Sequence, residues 1–419
     1  MPRHANHHED RQGLIVQKYG GTSVSNPARI RRVARRIAER VAAGEQVVAV
    51  VSAMGHTTDR LIELAKKINP NPPARELDML VANGETISAP LVAMCLEGMG
   101  IPAISLTGLQ AGVRTTGHHS KARIREVRTD RMKAELAKGR VVIVAGFQGV
   151  TEDLEVMTLG RGGSDTTAVA LAAALGAKVC EIFTDVDAIY TADPRIVRFP
   201  SRLGFISYEE MLELAAVGAR VMHPRAVEIG QLFGVEIHVR SSFNKGTGTM
   251  IVASVPMEDR NRVRGVAHDS NVAKITVLGV PDRPGIAATL FEPLGEAAIS
   301  VDVIVQNVST TSATDITFTV TEAELKQAVQ LVLEANKKIG ALRVISSAGL
   351  AKLSIVGTGM LGTPGIAARM FRVLAEEKIN IEMISTSEIR ITCLIDARDA
   401  ERGVRALHTA FGLDSVKAG

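Results

Sequence analysis

The chain contains no tryptophan, only three tyrosines and ten phenylalanines, so aromatic residues make up 3% of its 419 positions. A platform for single-stranded nucleic acid needs exposed rings on which bases stack, and that function class is excluded. Cysteine is as scarce. Cys95, Cys180 and Cys393 are far apart and odd in number, with neither a disulfide framework nor a metal-ligand spacing. A reducing, cytoplasmic setting fits. No apolar run reaches about 18 residues, so no membrane span is expected. A large excess of one charge is also missing. The formal net charge is +4, compatible with a small anionic substrate and too weak to argue for DNA. Arg31, Arg32, Arg35, Arg36 and Arg40 alternate with Ile30, Val33, Ile37 and Val41 at helical spacing, which reads as a solvated helix face. Residues 1–13 are polar, lack an apolar signal core, and are expected to form a disordered extension, although His4, His7 and His8 are metal-ligand types.

What is present is length, enough for two to four domains and a large core, and a strongly patterned order of segments. From residue 14 to about 250, short β-branched runs alternate with helical stretches. The runs include "LIVQKYG", "QVVAVVSAMG", "VVIVAGFQG", "KVCEIFTDVD" and "VEIHVRSS". One helix is expected from the cap at Asn26-Pro27 to Gly44, another from Ser164 to Gly176. Such alternation predicts an α/β fold, a mainly parallel sheet with helices on both faces, whose ligands gather at the carboxyl ends of the strands. Glycines sit there: Gly20, Gly21, Gly55, Gly146 and Gly149.

The last third repeats itself. "PGIAATLFEPLGEAAISVDVI" begins at Pro284 and "PGIAARMFRVLAEEKINIEMI" at Pro364, an offset of 80 residues. Each copy follows an apolar strand and reads as helix then strand, so two α+β units are expected. Neither carries a candidate nucleophile or metal cluster. A binding or regulatory role is expected, with plain dimerisation as the alternative. The polar stretch "SVPMEDRNRVRG" divides the two textures.

Four stretches carry chemistry. In "VQKYGGTSV", Gly20 and Gly21 let backbone N–H groups approach an anion, and Lys18 supplies a mobile charge suited to a phosphoryl group. The alternative is a tight turn with an incidental lysine. This is neither the Gly-x-x-x-x-Gly-Lys-Ser/Thr pattern nor the protein-kinase motif set. In "TLGRGGSDTTAVA", Arg161 is suited to a carboxylate, with Gly162, Gly163 and Ser164 beside it, and Asp165 either caps the helix or orients Lys18. In "FTDVDAIYTADPR", acidic residues and Tyr190 end a strand, a placement suited to ribose and base edges, or simply to an acidic loop. In "ANGETIS", Glu85 is a carboxylate in an apolar helical stretch, able to pair with a substrate amine. Ser52, Thr57 and Thr58 add hydroxyls. Together these parts describe phosphoryl transfer from ATP to a small zwitterionic acid, in which positioning and charge stabilisation do most of the work.

These motifs, in this order, resemble the aspartokinases of the amino-acid-kinase fold, and the duplicated tail resembles paired ACT domains. The resemblance runs from about residue 14 nearly to the C-terminus. It implies a catalytic domain over 14–256 and ACT domains over 265–348 and 349–419. It further implies phosphorylation of the L-aspartate side-chain carboxylate by ATP with Mg2+, giving 4-phospho-L-aspartate, the first step toward lysine, threonine and methionine. Carried over by motif, Lys18 would stabilise the transferring phosphoryl group and Asp165 would organise Lys18. Tyr19, Gly20, Gly21, Ser52, Thr184, Asp185, Tyr190 and Arg195 would hold ATP. Ser52, Thr57, Glu85, Arg161, Gly162, Gly163 and Ser164 would hold aspartate, with Glu85 on its amino group and Arg161 on a carboxylate. No closed protein-only metal site is visible. Asp282, Gly285, Ile286, Ala287, Asp302, Val303, Gln306, Asn380 and Ile381 would line sites for threonine, lysine or both. The resemblance implies a homodimer or an α2β2 assembly through the ACT domains, with Met257 as a possible start of the shorter subunit. The competing readings are a kinase for another acidic amino acid and a catalytically silent ACT sensor.

Overall fold

A computed structural model describes residues 13–219, 221–255, 263–306, 313–360 and 363–414. The expected extension before residue 13 and the expected start at Met257 lie outside the described residues. The chain forms two compact units. The first contains strands β1 (Leu14–Tyr19), β2 (Gln46–Val51), β3 (Ala103–Leu106), β4 (Val113–Thr115), β5 (Ile124–Val127), β6 (Val141–Ala145), β7 (Gln148–Val150) and β8 (Val156–Thr158). It continues with β9 (Val179–Thr184), β10 (Phe205–Ser207), β11 (Glu236–Ser241) and β12 (Thr249–Val252). Its helices are α1 (Pro27–Ala42), α2 (Thr57–Ile68), α3 (Ala74–Val81), α4 (Asn83–Glu97), α5 (Asp130–Ala137), α6 (Gly163–Leu175), α7 (Tyr208–Ala216) and α8 (Pro224–Phe233).

Eight of these strands form one sheet in the order β10-β12-β11-β9-β1-β2-β6-β3. The six from β11 to β3 run parallel, and β12 and β10 run against them. The expected mainly parallel sheet is therefore present, with a reversed edge. Its central strands bury both faces, which is why they read as unbroken Val/Ile runs. Ile15, Tyr19, Val47, Ala49, Val51 and Ile143 pack on one face with α1 and α4. Alternation places Val16 and Lys18 on the other face, where α6 lies against β1 and β2. Helix α1 starts where its cap predicts: Asn26 Oδ1 accepts the Arg29 N–H at 3.0 Å, with Pro27 in the first turn. By length and composition alone, the stretch Ala74–Glu97 would suit a bilayer, a point the search for uninterrupted apolar runs missed. In the fold Ala89, Val92, Ala93 and Leu96 of that stretch belong to the sheet's core. A second, smaller sheet has the order β5-β4-β7-β8.

The second unit contains β13 (Gly265–Pro281), α9 (Ile286–Glu296), β14 (Ile304–Gln306), β15 (Ala313–Val320) and α10 (Leu325–Ile339). It continues with β16 (Arg343–Val356), α11 (Ile366–Glu376), β17 (Met383–Thr386), β18 (Arg390–Asp396) and α12 (Ala400–Ala410). The two repeats share one antiparallel sheet, β14-β15-β13-β16-β18-β17. Strand β13 crosses between them. Lys274–Leu278 pairs with Arg343–Ser347, whereas Gly265–Asp269 pairs with Lys352–Val356 of the second repeat. The expected division at 348/349, with 265 opening the first repeat, therefore needs correction: residues 265–269 complete the second repeat's sheet. A register irregularity between Asp269 and Lys274 marks the change of partner. Val263 and Val266 accordingly share a core with Leu353, Ile366, Met370 and Leu407, and Ala273, Ile275 and Val277 share another with Leu290, Phe318 and Val332. Two ion pairs tie the repeats reciprocally: Lys274 to Glu382 at 2.6 Å, and Lys352 to Asp302.

The expected single block over 14–256 is also interrupted. Tyr190–Ser201 and Ala216–Ala219 group with the second unit. The reason is local: Ala192 and Val197 enter the second repeat's core, the Thr191 hydroxyl lies 2.8 Å from His408 Nε2, and Thr191 O accepts the Val266 N–H at 2.8 Å.

Leu353 is central to that core. Leu353→Ala is expected to lower the unfolding free energy of the second unit by about 2–5 kcal/mol. A denaturant titration followed by a probe within that unit measures it, and a loss near zero would place the core elsewhere.

Candidate active site

At the carboxyl edge of the parallel sheet, β1 ends in Lys18-Tyr19-Gly20-Gly21. Lys18 Nζ lies 2.6 Å from Asp165 Oδ1, and the two residues are 8% and 9% exposed. Strand alternation produces this meeting. Lys18 faces α6, and Asp165 stands in the first turn of that helix, where a carboxylate also complements the positive end of the dipole. Asp165 is not the cap, since Gly162 holds that position without a side-chain cap hydrogen bond; its carboxylate lies against Lys18 instead. Gly20 N–H donates to Phe183 O at 3.1 Å and fixes the turn to the end of β9.

Gly21 must be bare. A Cβ there would stand 2.8 Å from Ala53 O and 3.0 Å from Gly55 O. The Gly55 N–H donates to Gly21 O at 3.0 Å, and the Ser52 N–H to Tyr19 O at 3.0 Å. The loops after β1 and β2 are therefore laced backbone to backbone, a close approach that a side chain at position 21 would block. Ser52 ends β2 half-buried, and its carbonyl accepts the Ser88 hydroxyl at 2.7 Å. Thr57 opens α2, and its hydroxyl donates to Met54 O at 2.6 Å.

Glu85, in the first turn of α4, is 3% exposed. Its Oε1 accepts the Ala53 N–H at 3.1 Å, while Oε2 is buried without a partner. Burial pushes its carboxyl up to about 7, against the pull of the Ala53 hydrogen bond. An acceptor atom left alone in a dry place is costly unless something donates to it.

The second glycine loop joins β8 to α6. Arg161 is exposed at its tip, Gly162 caps α6 in the left-handed conformation at φ 68°, and Ser164 is buried in the first turn. A Cβ on Gly162 would stand 2.4 Å from the His223 ring, so no other residue fits. His223 and Arg225 escaped the sequence reading. Burial first, then the neighbouring Arg225 charge, holds the His223 imidazole below its usual range. Arg225 donates to Ala122 O at 3.0 Å and to Leu159 O, behind the loop. The available signal was "MHPRA", a cap followed by proline at a helix start.

Thr184 and Asp185 end β9, the Thr184 hydroxyl donating to Asp185 at 3.1 Å. One expected nucleotide contact needs correction. Tyr19 alternates away from Lys18 into the core, stacks on Phe183 at 4.9 Å between centroids and donates its hydroxyl to Gln17 Oε1, so its side chain is not a ligand group. Arg195 is 89% exposed on a segment of the second unit and is paired with Asp193 at 2.6 Å. Tyr190 belongs to the same segment. Behind the site, Glu181 is held by Gln17 at 2.7 Å, Arg240 at 2.7 Å and Arg40 at 2.5 Å. Burial pushes its carboxyl up, but these partners together keep it below the usual range.

In the second unit Gly285 and Gly365 occupy equivalent places before α9 and α11, at φ 90° and 92°. Asp282, Ala287, Gln306 and Asn380 are exposed, Ile381 is half-buried, and Ile286 and Val303 are buried. Ile286 lies in the first repeat's core. Asp302 already holds Lys352.

Two glycine loops, a carboxylate-paired lysine and a buried, unsatisfied carboxylate thus lie at one sheet edge. The sequence model described as "Amino acid kinase family" matches residues 13–241, and an ACT domain model matches 275–335 and 353–411. The chain belongs to the amino acid kinase family. It is 52% identical over 406 residues to an aspartokinase of Mycolicibacterium smegmatis, covering 96% of each chain. It is 49% identical over 405 residues to one from Thermus thermophilus, covering 96% of this chain and 100% of that one. The solved E. coli aspartokinase III in complex with aspartate and ADP (R-state) matches with a TM-score of 0.80 at 26% identity, over 95% of this chain and 99% of that one. The same enzyme in complex with lysine and aspartate (T-state) matches with a TM-score of 0.73 at 26% identity and the same coverage. Within the family the chain is therefore one of the aspartokinases, an aspartate kinase with ACT domains.

The raised Glu85 carboxyl has a consequence for stability. A carboxyl whose folded value lies above its unfolded value stabilises the fold while protonated and loses that contribution as pH rises through the folded value. Between pH 4.5 and about 7, this one group is expected to remove about 3 kcal/mol from the ligand-free protein. Glu85→Gln should flatten unfolding free energy against pH across that window. An unchanged slope would contradict the assignment.

Proposed function

We propose that the residues around the Lys18–Asp165 pair carry the aspartate kinase reaction: ATP and L-aspartate give ADP and 4-phospho-L-aspartate. One observation carries the assignment. Lys18 Nζ stands beside Gly20 at the strand ends, held at 2.6 Å by Asp165. A lysine so fixed has further N–H donors for phosphate oxygens, and it is positioned before the substrate arrives.

The substrate's side-chain carboxylate oxygen attacks the γ-phosphorus. The bond from that phosphorus to the bridging oxygen breaks, and ADP leaves with the electron pair. Both reactants are anionic, so the protein's first task is to offset repulsion. Lys18 and the N–H groups of the first glycine loop take charge developing on the phosphates. Arg161 takes the aspartate carboxylate that does not react, by a two-pronged hydrogen bond. The orphan Oε2 of Glu85 accepts an N–H from the substrate ammonium, whose charge favours the ionised carboxylate, the Glu85 proton passing to solvent. Ser52, Thr57 and Ser164 add hydroxyl contacts, and Thr184 and Asp185 a wall of the nucleotide site. Magnesium, when bound with ATP, offsets phosphate charge. Such an ion keeps several waters and is held chiefly by substrate phosphates. Among the described residues no cluster of three His, Cys, Asp or Glu side chains gathers.

The second unit is read as the effector-binding part. Lysine, which the E. coli relative binds, or threonine would occupy the region of Asp282, Gly285, Asp302 and Gln306 and the matching region of Asn380 and Ile381. An effector inhibits only by binding a low-activity state better than the active one. Assembly as a homodimer or as α2β2 through the ACT domains, in the cytoplasm, completes the reading. The unpaired Cys95, Cys180 and Cys393 suit a reducing compartment.

ADP release in the presence of ATP and Mg2+ should require L-aspartate and should not be supported by L-glutamate. Arg161→Ala should raise KM for aspartate about tenfold or more and leave KM for ATP within twofold. Equal turnover with both acids would move the chain to another acceptor, and an unchanged aspartate KM in Arg161→Ala would remove Arg161 from the site.

A further inference from the structure

Asp78 is a heavily hydrogen-bonded carboxylate outside the proposed site, and no part of the reaction so far uses it. It lies on α3 and is 1% exposed. Its Oδ1 accepts the Thr158 hydroxyl at 2.6 Å and the Ser120 hydroxyl at 3.3 Å. Its Oδ2 accepts the Thr158 N–H at 3.0 Å and the Ser120 N–H at 2.9 Å, and His119 Nδ1 lies 3.1 Å away. A buried carboxylate with this many donors is a fastening, because each donor would otherwise be left without a partner.

What it fastens matters more than how strongly. Thr158 is the last residue of β8, three residues before Arg161. Ser120, itself in the left-handed region at φ 63°, rests its carbonyl oxygen against Gly160. On the other side of Asp78 the chain leads directly to Glu85. Helix α3 ends at Val81, Ala82 alone separates it from α4, and Ala82 O is held by Gln148 Nε2 at 2.7 Å. One carboxylate therefore joins the helix pair that carries Glu85 to the loop that carries Arg161.

We propose that Asp78 is a positioning residue for aspartate binding, setting the separation between Glu85 and Arg161 without touching substrate. This rests on the reading above, in which those two side chains hold the substrate's ammonium and free carboxylate. Substrates held at both ends are sensitive to small misplacements, so the cost falls on the acceptor and spares the nucleotide.

The test is steady-state kinetics on Asp78→Asn and, as the milder variant, Thr158→Val, in the full chain with folding checked by thermal melting. The amide in Asp78→Asn offers one acceptor oxygen to donors that now share two. KM for L-aspartate should rise about tenfold and KM for ATP should stay within twofold. Thr158→Val should raise the aspartate KM about threefold, again alone. A purely structural role predicts a different pattern. Loss of folded enzyme lowers apparent kcat and leaves both KM values where they were, and that outcome in either folded variant overturns the proposal, as does a parallel rise in both KM values. Arg161→Ala and Glu85→Gln, run alongside, separate the two levels. If they raise the aspartate KM while the Asp78 and Thr158 variants do not, only the positioning role fails. If they too leave it unchanged, the substrate contacts fail and the positioning role falls with them.

Discussion

Two opposite charges, Lys18 and Asp165, are almost removed from solvent at the end of the central strand, and much of the first unit is arranged to keep them together. Taking either charge out of water is costly. Breaking such a pair by deleting one partner costs about 3–5 kcal/mol, because the survivor is left uncompensated. The pair needs β1 in one register, so that Lys18 and not Tyr19 faces α6. It needs α6 to begin at Gly163, so that Asp165 falls in the first turn. The core on the far face secures the register: Tyr19 stacks on Phe183, and Gln17 and Arg240 converge on Glu181. The reward for the cost is a lysine whose position is set before any phosphate arrives.

The rest of the site can be read as a division between rigid and unsatisfied groups. The loops after β1 and β2 are joined backbone to backbone, and the loop before α6 is fastened by Thr158, Leu159 and Gly162 through Asp78, Arg225 and His223. Against this rigid background the Glu85 Oε2 acceptor lacks a donor. Stability is lower for it, and the carboxyl stays largely protonated until pH approaches about 7. Unsatisfied polar atoms in an otherwise satisfied region mark the place where a ligand completes the structure.

Much of this was legible in the sequence, for identifiable reasons. Strand runs buried on both faces, the Asn26-Pro27 cap and the glycine stop at Gly176 are local signals, and they placed the sheet, α1 and α6. Lys18, Glu85, Arg161 and Asp165 stood out as isolated charges beside glycine or inside apolar runs. The alternation that turns Tyr19 inward was also in the sequence, but a motif read as a block hides which face each residue occupies. What could not be read depends on long-range pairing. Gly265–Asp269 joins the second repeat through Lys352–Val356, beyond the reach of an 80-residue offset. Thr191 groups with the second unit because it meets Val266 and His408. Asp78 carried no sequence signal of its own, since its donors come from Ser120 and Thr158, far along the chain.

In the proposed reaction Asp165 acts through Lys18. A double-mutant cycle on kcat for aspartate phosphorylation, with Lys18→Ala, Asp165→Asn and the double variant, tests it most directly. Strong non-additivity is expected, the double variant losing about as much as Lys18→Ala alone. Losses that multiply, with each residue removing its own independent factor, would contradict it.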